Sequence, residues 1–217
     1  MRIAIAGGHG QIGRLLSRRL AAAGHQPIAL IRSADQSADV EADGATPVVI
    51  DLEHTDDAAL AEALTGCDAA VFAAGAGANS GPERKLTLDR DGAILLADAS
   101  VQAGLRRLVV ISSRGADTFD PASDDGFQIY LRAKSEADTA IRAHDDLDWT
   151  IVRPGSLTDE PGTGELEVAD SIDGSISRVD VAHLVAELVT SDRAAHAQFE
   201  VVSGTTPIQK LVFTPLS

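Results

Sequence analysis

The chain has 217 residues, 44% of them apolar, which is enough to bury the core of one large α/β domain. It carries 33 acidic against 18 basic residues, a net charge of −15, and only seven aromatic residues. A surface that negative repels phosphate backbones and anionic lipid, and so few aromatics make no base-stacking platform, so nucleic-acid binding is excluded. The single cysteine, Cys67, excludes an internal disulfide and a thiolate metal site, and the six histidines show no metal-ligand spacing, so no metal is expected. The N-terminal MRIAIAGG is too short an apolar stretch for a secretory signal. No window reaches the roughly eighteen uncharged apolar residues of a membrane span. A cytoplasmic protein with no membrane partner is expected.

Apolar runs alternate with helical spacing along the chain. Strands are expected at 2–6, 27–31, 47–50, 69–74, 107–112 and 148–152. Helices are expected at 11–23, 58–64, 86–103 and 127–143. Beyond Pro154 the pattern loosens: 158–173 reads as a Gly- and acid-rich loop that could close as a lid, 179–189 as a helix and 198–202 as a late strand. Short connections and near-continuous apolar strands point to α/β architecture, a doubly wound and mainly parallel sheet. The whole of 1–217 is expected to form one domain, with 155–178 and 203–217 making a small substrate-side cap.

The first strand runs into Gly7-Gly8-His9-Gly10-Gln11-Ile12-Gly13 and then a helix. Glycine is needed there for a tight turn, for close approach to a pyrophosphate and for helix–sheet packing, and the helix N-terminus offers free N–H groups to phosphate. At the tip of the second strand, where an NAD-binding fold places a carboxylate on the ribose 2′-hydroxyl, the chain has Arg32 and Ser33. Both can bind a 2′-phosphate, which favours NADP(H) over NAD(H). Asp51, followed by Leu52, can accept from the adenine amine or cap the next helix. Ala73, Ala74 and Gly75 let the backbone approach the adenine ribose.

The chain's one tyrosine, Tyr130, precedes Lys134 by four residues, so phenol and ammonium share a helical face. A lysine charge stabilises phenolate, which suits Tyr130 to act as a general acid on a carbonyl during hydride transfer. Only three lysines occur in the chain, which makes that offset informative. Ser113 and Ser112 end the fifth strand at the carboxyl edge of the sheet and can orient a substrate oxygen, Ser113 being favoured. Pro154, Gly155 and Ser156 form a simple turn or cross the nicotinamide and present main-chain groups to its carboxamide. Asp180 reads as an N-terminal charge on the late helix, and Arg178 as a salt-bridge partner that could also reach a substrate.

These motifs, taken with 177–182, resemble the short-chain dehydrogenase/reductase superfamily. Within it, the chain is most similar to the compact atypical members, the NAD(P)H-binding, NmrA-like and sugar epimerase-like group. The resemblance implies a Rossmann fold with strand order 3-2-1-4-5-6-7 and nicotinamide at the carboxyl edge. It further implies Tyr130 as general acid/base and Lys134 on the nicotinamide ribose. Aspartates 117, 120, 124 and 125, between Ser113 and Tyr130, form an acidic loop unfavourable to anionic substrates.

An NADP(H)-dependent oxidoreductase acting on a small neutral carbonyl or alcohol is therefore expected, as a monomer or homodimer. The alternatives are an epimerase or dehydratase with tightly held cofactor, and a non-catalytic dinucleotide redox sensor. The choice of charges is itself unusual, with 23 Asp to 10 Glu and 15 Arg to 3 Lys. That balance fits a halophilic cytoplasm, in which stability would rise from low to molar KCl, or GC-rich coding.

Overall fold

The computed structural model describes residues 1–77 and 80–216. Its elements are β1 (Arg2–Ala6), α1 (Gln11–Ala22), β2 (Gln26–Ile31), α2 (Ser37–Ala42), β3 (Thr46–Val49), α3 (Asp57–Ala63) and β4 (Ala69–Phe72). They are followed by α4 (Pro82–Arg84), a π-helical run (Lys85–Gly92), α5 (Ala93–Gln102), β5 (Arg107–Ile111), α6 (Gly126–Arg142) and β6 (Asp148–Pro154). The last elements are β7 (Ser156–Thr158), β8 (Glu165–Ala169), β9 (Ser175–Ser177), α7 (Arg178–Val189), β10 (Ala197–Ser203) and β11 (Thr206–Pro207).

One nine-stranded sheet has the order β3-β2-β1-β4-β5-β6-β10-β8-β11. Its first seven strands in that order pair parallel, so the expected order 3-2-1-4-5-6-7 holds, with β10 in seventh place. The central strands β1, β4 and β5 are buried on both faces because helices cover both. Alternation at period two sends Ile3 and Ile5 into a core with Leu16, Leu20, Leu184 and Leu188 of α1 and α7. Ala4 and Ala6 point into the other core, against Leu60, Leu96 and Ile141 of α3, α5 and α6. Each fully buried leucine or isoleucine contributes about 1.5–3 kcal/mol of transfer free energy.

Three expectations change. First, 158–173 is not a loop: β8 lies inside it and pairs antiparallel with β10, Val201 opposite Val168, and β11 adds to the outer edge of β8. The apolar signal there is short, Leu166 being the one fully buried side chain of Glu165–Ala169. Second, 203–216 do not cap the substrate side. Ile208 and Leu211 enter the α1–α7 core and none of these residues borders the clefts described below; Ser217 lies outside the described residues. Third, the helix expected over 86–103 begins at Pro82 and is π-helical from Lys85 to Gly92. A wider turn of this kind shifts side chains relative to a regular helix and recurs at functional sites.

The sheet order reverses at β1, with β2 on one side and β4 on the other. Connections there leave to opposite faces, and a crevice opens beyond the strand carboxyl ends.

Candidate functional site

The β1–α1 turn builds the floor of that crevice. Gly7 has φ +80°, and a Cβ on it would stand 2.6 Å from the Cα of Ala74, at the end of β4. Glycine adopts that conformation without strain and, lacking a Cβ, lets the two strand ends touch. A Cβ on Gly13 would meet the Gly7 carbonyl at 2.4 Å, so α1 packs hard against its own turn. Helix α1 starts at Gly10 without a side-chain cap and without an acidic residue in its first turn. By contrast α3, α6 and α7 are capped by Asp56, Asp125 and Ser177. Helices α2 and α4 also lack a side-chain cap, but Asp39 and Glu83 stand in their first turns; in a chain with 33 acidic residues, the α1 N-terminus has neither and keeps its positive dipole for an anion.

Two clefts meet over this floor. A cleft of about 310 Å³ is bordered by Gly7, His9, Gly10, Arg32, Asp51 and Leu52, with Gln36, Glu53 and Arg84 beyond them. A cleft of about 850 Å³ is bordered by Gln11, Ile12, Ser112, Ser113, Tyr130, Lys134, Pro154, Gly155 and Ser156. Ala73, Ala74 and Gly75 border both, so the two form one trough along the carboxyl edge of the sheet. The uncapped helix, the glycine floor and the small residues at the β4 end fit an extended dinucleotide. Of the residues expected at the site, Gly8, Gly13 and Ser33 border neither cleft. Gly8 packs on Ala29, and the Ser33 hydroxyl turns back to Asp35.

Arg32 is exposed at the tip of β2, and among the described residues its guanidinium forms no ion pair. His9 is held by Asp39 at 2.8 Å. Burial raises the Asp51 carboxyl, but the Glu53 N–H, His54 and Arg32 outweigh it and hold the group below the usual aspartate value. Asp51 therefore stays charged, receiving the Glu53 N–H at 3.1 Å and facing His54 Nδ1 at 3.0 Å. Asp51 lies in the turn before α3, which Asp56 caps instead, so the reading of Asp51 as a helix cap is removed.

In the larger cleft, Lys134 is 3% exposed. Its Nζ donates to the Ile111 carbonyl at 3.2 Å and lies 3.4 Å from Asp89 Oδ1 and 5.8 Å from the Tyr130 ring centre. Burial alone would lower the ammonium, but Tyr130, Asp89 and Asp138 outweigh it and hold the group above the ordinary lysine value, so it remains charged at neutral pH. Tyr130 is partly exposed and stacks on Phe127, with ring centres 6.1 Å apart. Phenol and ammonium thus share the cleft, as their spacing implies.

The two serines separate. Ser112 donates to Asp138 Oδ2 at 2.7 Å and is nearly buried. Asp138 also receives Arg153 Nε at 2.9 Å, and Arg153 reaches Asp117 at 2.7 Å. Burial pushes the Asp138 carboxyl up despite Arg153 and Ser112. Ser113 is half-buried, its hydroxyl 3.2 Å from the Arg114 carbonyl, and of the two serines it has the freer hydroxyl. Asp117 serves Arg153 and Ser135, and of the four aspartates between Ser113 and Tyr130 only Asp125 borders the cleft. Of the main-chain groups of the 154–156 turn, the N–H donors are already used. Gly155 N–H donates to Val201 and Ser156 N–H to Gly174, so that turn can offer a carboxamide no N–H from either residue. Arg178 pairs with Asp159 at 2.7 Å while bordering the cleft. Asp180 does more than charge a helix end: it receives the N–H groups of Thr163 and Gly164 and ties that turn to α7.

Sequence spacing missed Asp89 and Lys85, both from the π-helical run and both nearly buried at the cleft. Asp89 receives the Ala76 N–H at 3.1 Å, so one carboxylate links the β4 end to Lys134. Their only signal is charge inside an otherwise apolar helical run.

The sequence model of the NAD(P)H-binding family matches residues 7–192. An uncharacterised sugar epimerase of Bacillus subtilis, YhfK, is 36% identical over 96% of this chain and 97% of its own length. A solved structure from Bacillus halodurans, named a candidate NAD-dependent epimerase/dehydratase, superposes with a TM-score of 0.88 at 35% identity, covering 97% of each chain. The oxidoreductase ylbE from Lactococcus lactis superposes with a TM-score of 0.85 at 29% identity, covering 97% of this chain and 94% of its own. No helix among the described residues is long and apolar enough to cross a membrane.

Proposed function

Because the chain belongs to the NAD(P)H-binding family, we propose that it is an oxidoreductase moving hydride between NADP(H) and a small carbonyl or alcohol. The observation that carries this reading is the continuous trough, in which Ala73, Ala74 and Gly75 join the uncapped α1 N-terminus to the Tyr130–Lys134 pair. The names of the relatives, epimerase and oxidoreductase, belong to the same nicotinamide chemistry.

The N–H groups of α1 and the glycine turn would hold the pyrophosphate, and exposed Arg32 would pair with the 2′-phosphate. Lys134 would hold the nicotinamide ribose, and Ser113 would orient the substrate oxygen. When bound, NADPH would supply the hydride. As the carbonyl carbon is reduced, the Tyr130 hydroxyl donates its proton to the carbonyl oxygen, giving the alcohol; solvent then restores the tyrosine proton. In the oxidising direction the phenolate takes the alcohol proton. The chain's own part is therefore binding, orientation and proton transfer.

The test is Tyr130→Phe. Turnover of NADPH with a reducible carbonyl should fall by about 10²–10⁴-fold, with the NADPH dissociation constant unchanged. Unchanged turnover would remove Tyr130 from the reaction. Cofactor retained through purification, with substrate isomerised and no net NADPH consumed, would favour the epimerase reading. Binding without any turnover would favour the sensor.

A further inference from the structure

The larger cleft holds more positive charge than hydride transfer requires. Four cations, Lys85, Arg114, Lys134 and Arg178, border it against two carboxylates, Asp89 and Asp125, in a chain of net charge −15. Both carboxylates are engaged. Asp89 faces Lys134 at 3.4 Å, and Asp125 receives the N–H groups of Phe127 and Gln128 at the start of α6.

Lys85 is different. It is 6% exposed, its Nζ donates to the Ser80 carbonyl at 3.2 Å and lies 3.4 Å from the Ser80 hydroxyl, and among the described residues it forms no ion pair. A buried ammonium without a counter-charge is unfavourable, and an anionic ligand relieves it. Lys85 lies against the start of α6, where a Cβ on Gly126 would be 4.0 Å from Lys85 Cε. Gly126 precedes Tyr130 by four residues, roughly 6 Å along a helix axis. Among the described residues Arg114 and Arg178 form ion pairs only with Asp173 and Asp159, which are 98% and 75% exposed, and a ligand can compete with such pairs. Phe127 is 60% exposed beside Tyr130, and Leu157 is 39% exposed, so an apolar wall adjoins the cations.

We propose that the substrate is a carbonyl compound bearing a carboxylate within a few bonds of the carbonyl. Lys85 receives the carboxylate, with Arg178 at the rim, and Phe127 and Leu157 take the apolar body. This deepens the hydride-transfer reading and rests on it. It replaces the neutral substrate expected from the acidic stretch, since Asp117 is turned to Arg153 and only Asp125 of that stretch borders the cleft.

The experiment titrates the NADP⁺-saturated protein with benzoate and with benzamide, two planar molecules differing in charge, at fixed ionic strength. Benzoate should bind at least about ten-fold tighter, roughly 1.4 kcal/mol. Lys85→Gln should abolish that preference without weakening NADPH binding, and Arg178→Gln should reduce it. Equal affinities, no benzoate binding at millimolar concentration, a preference surviving in Lys85→Gln, or a parallel loss of NADPH affinity would each overturn the proposal. Steady-state reduction of 2-oxo acids against their methyl esters separates it from the reading beneath it. Esters reduced as well as acids sink the carboxylate site and leave hydride transfer standing. A benzoate preference in a protein that reduces no carbonyl sinks hydride transfer and leaves the anion site standing.

Discussion

Lys134 is buried, charged and held from three sides, by the Ile111 carbonyl, Asp89 and the Tyr130 ring. The offset of four between Tyr130 and Lys134 is visible in the sequence because both residue types are scarce. Asp89 was not visible: an aspartate in a helical run reads as solvated, and only burial to 1% exposure shows otherwise. Asp89→Asn should remove the charge facing Lys134 and leave a buried ammonium short of its partner. The expected cost is about 3 kcal/mol of unfolding free energy by urea denaturation. Asp89 is a positioning residue, so the same variant should also raise KM for NADPH more than it lowers kcat; an unaltered KM would confine Asp89 to folding. Ser112 and Ser113 show the same limit. Spacing puts both at the β5 end, and only the hydrogen bond to Asp138 shows that Ser112 is taken.

At the level of elements, the parallel core was legible because its strands are mostly apolar and several, such as β1 and β4, run into glycine or alanine. β8 and β11 were not: β8 has one fully buried side chain and lies in a stretch rich in Gly and acids, and β11 is an edge strand of two residues. The π-helical run was invisible for another reason, since its apolar spacing still approximates a helix. The α7 end of the molecule offers a test of packing. His183, on α7, is mostly buried, with Glu187 Oε1 at 4.0 Å, Gln209 Nε2 at 3.5 Å and the Asp180-anchored turn at Gly164 close to its ring. Burial, reinforced by Arg19, lowers its pKa below the ordinary histidine value, Glu187 and Asp180 opposing. The folded state thus binds fewer protons than the unfolded chain, and the stability from the neutral ring is lost as pH falls from near 6.5 through the depressed value. Urea midpoints of the native protein should fall more steeply from pH 7.5 to 5.5 than those of His183→Gln. Parallel slopes would show that His183 is not held neutral by the fold.

Across the whole molecule, the charge distribution has two parts. The surface is acidic, while the dinucleotide part of the trough gathers Arg32 and Lys134 with the free N–H groups of α1. An anionic dinucleotide is repelled by the former and drawn to the latter. Salt screens the repulsion among 33 carboxylates, so the melting temperature should climb from low to molar KCl; a flat profile would assign the Asp-rich, Lys-poor composition to coding bias. The measurement that bears most directly on the function is calorimetric titration of the nucleotide-free protein with NADPH and with NADH at high KCl, repeated with Arg32→Ala. NADPH should bind more tightly than NADH, and Arg32→Ala should erase the difference, a loss of about 1–2 kcal/mol, while leaving NADH affinity unchanged. NADH binding as tightly as NADPH would contradict the role given to Arg32, and binding of neither would contradict the dinucleotide trough itself.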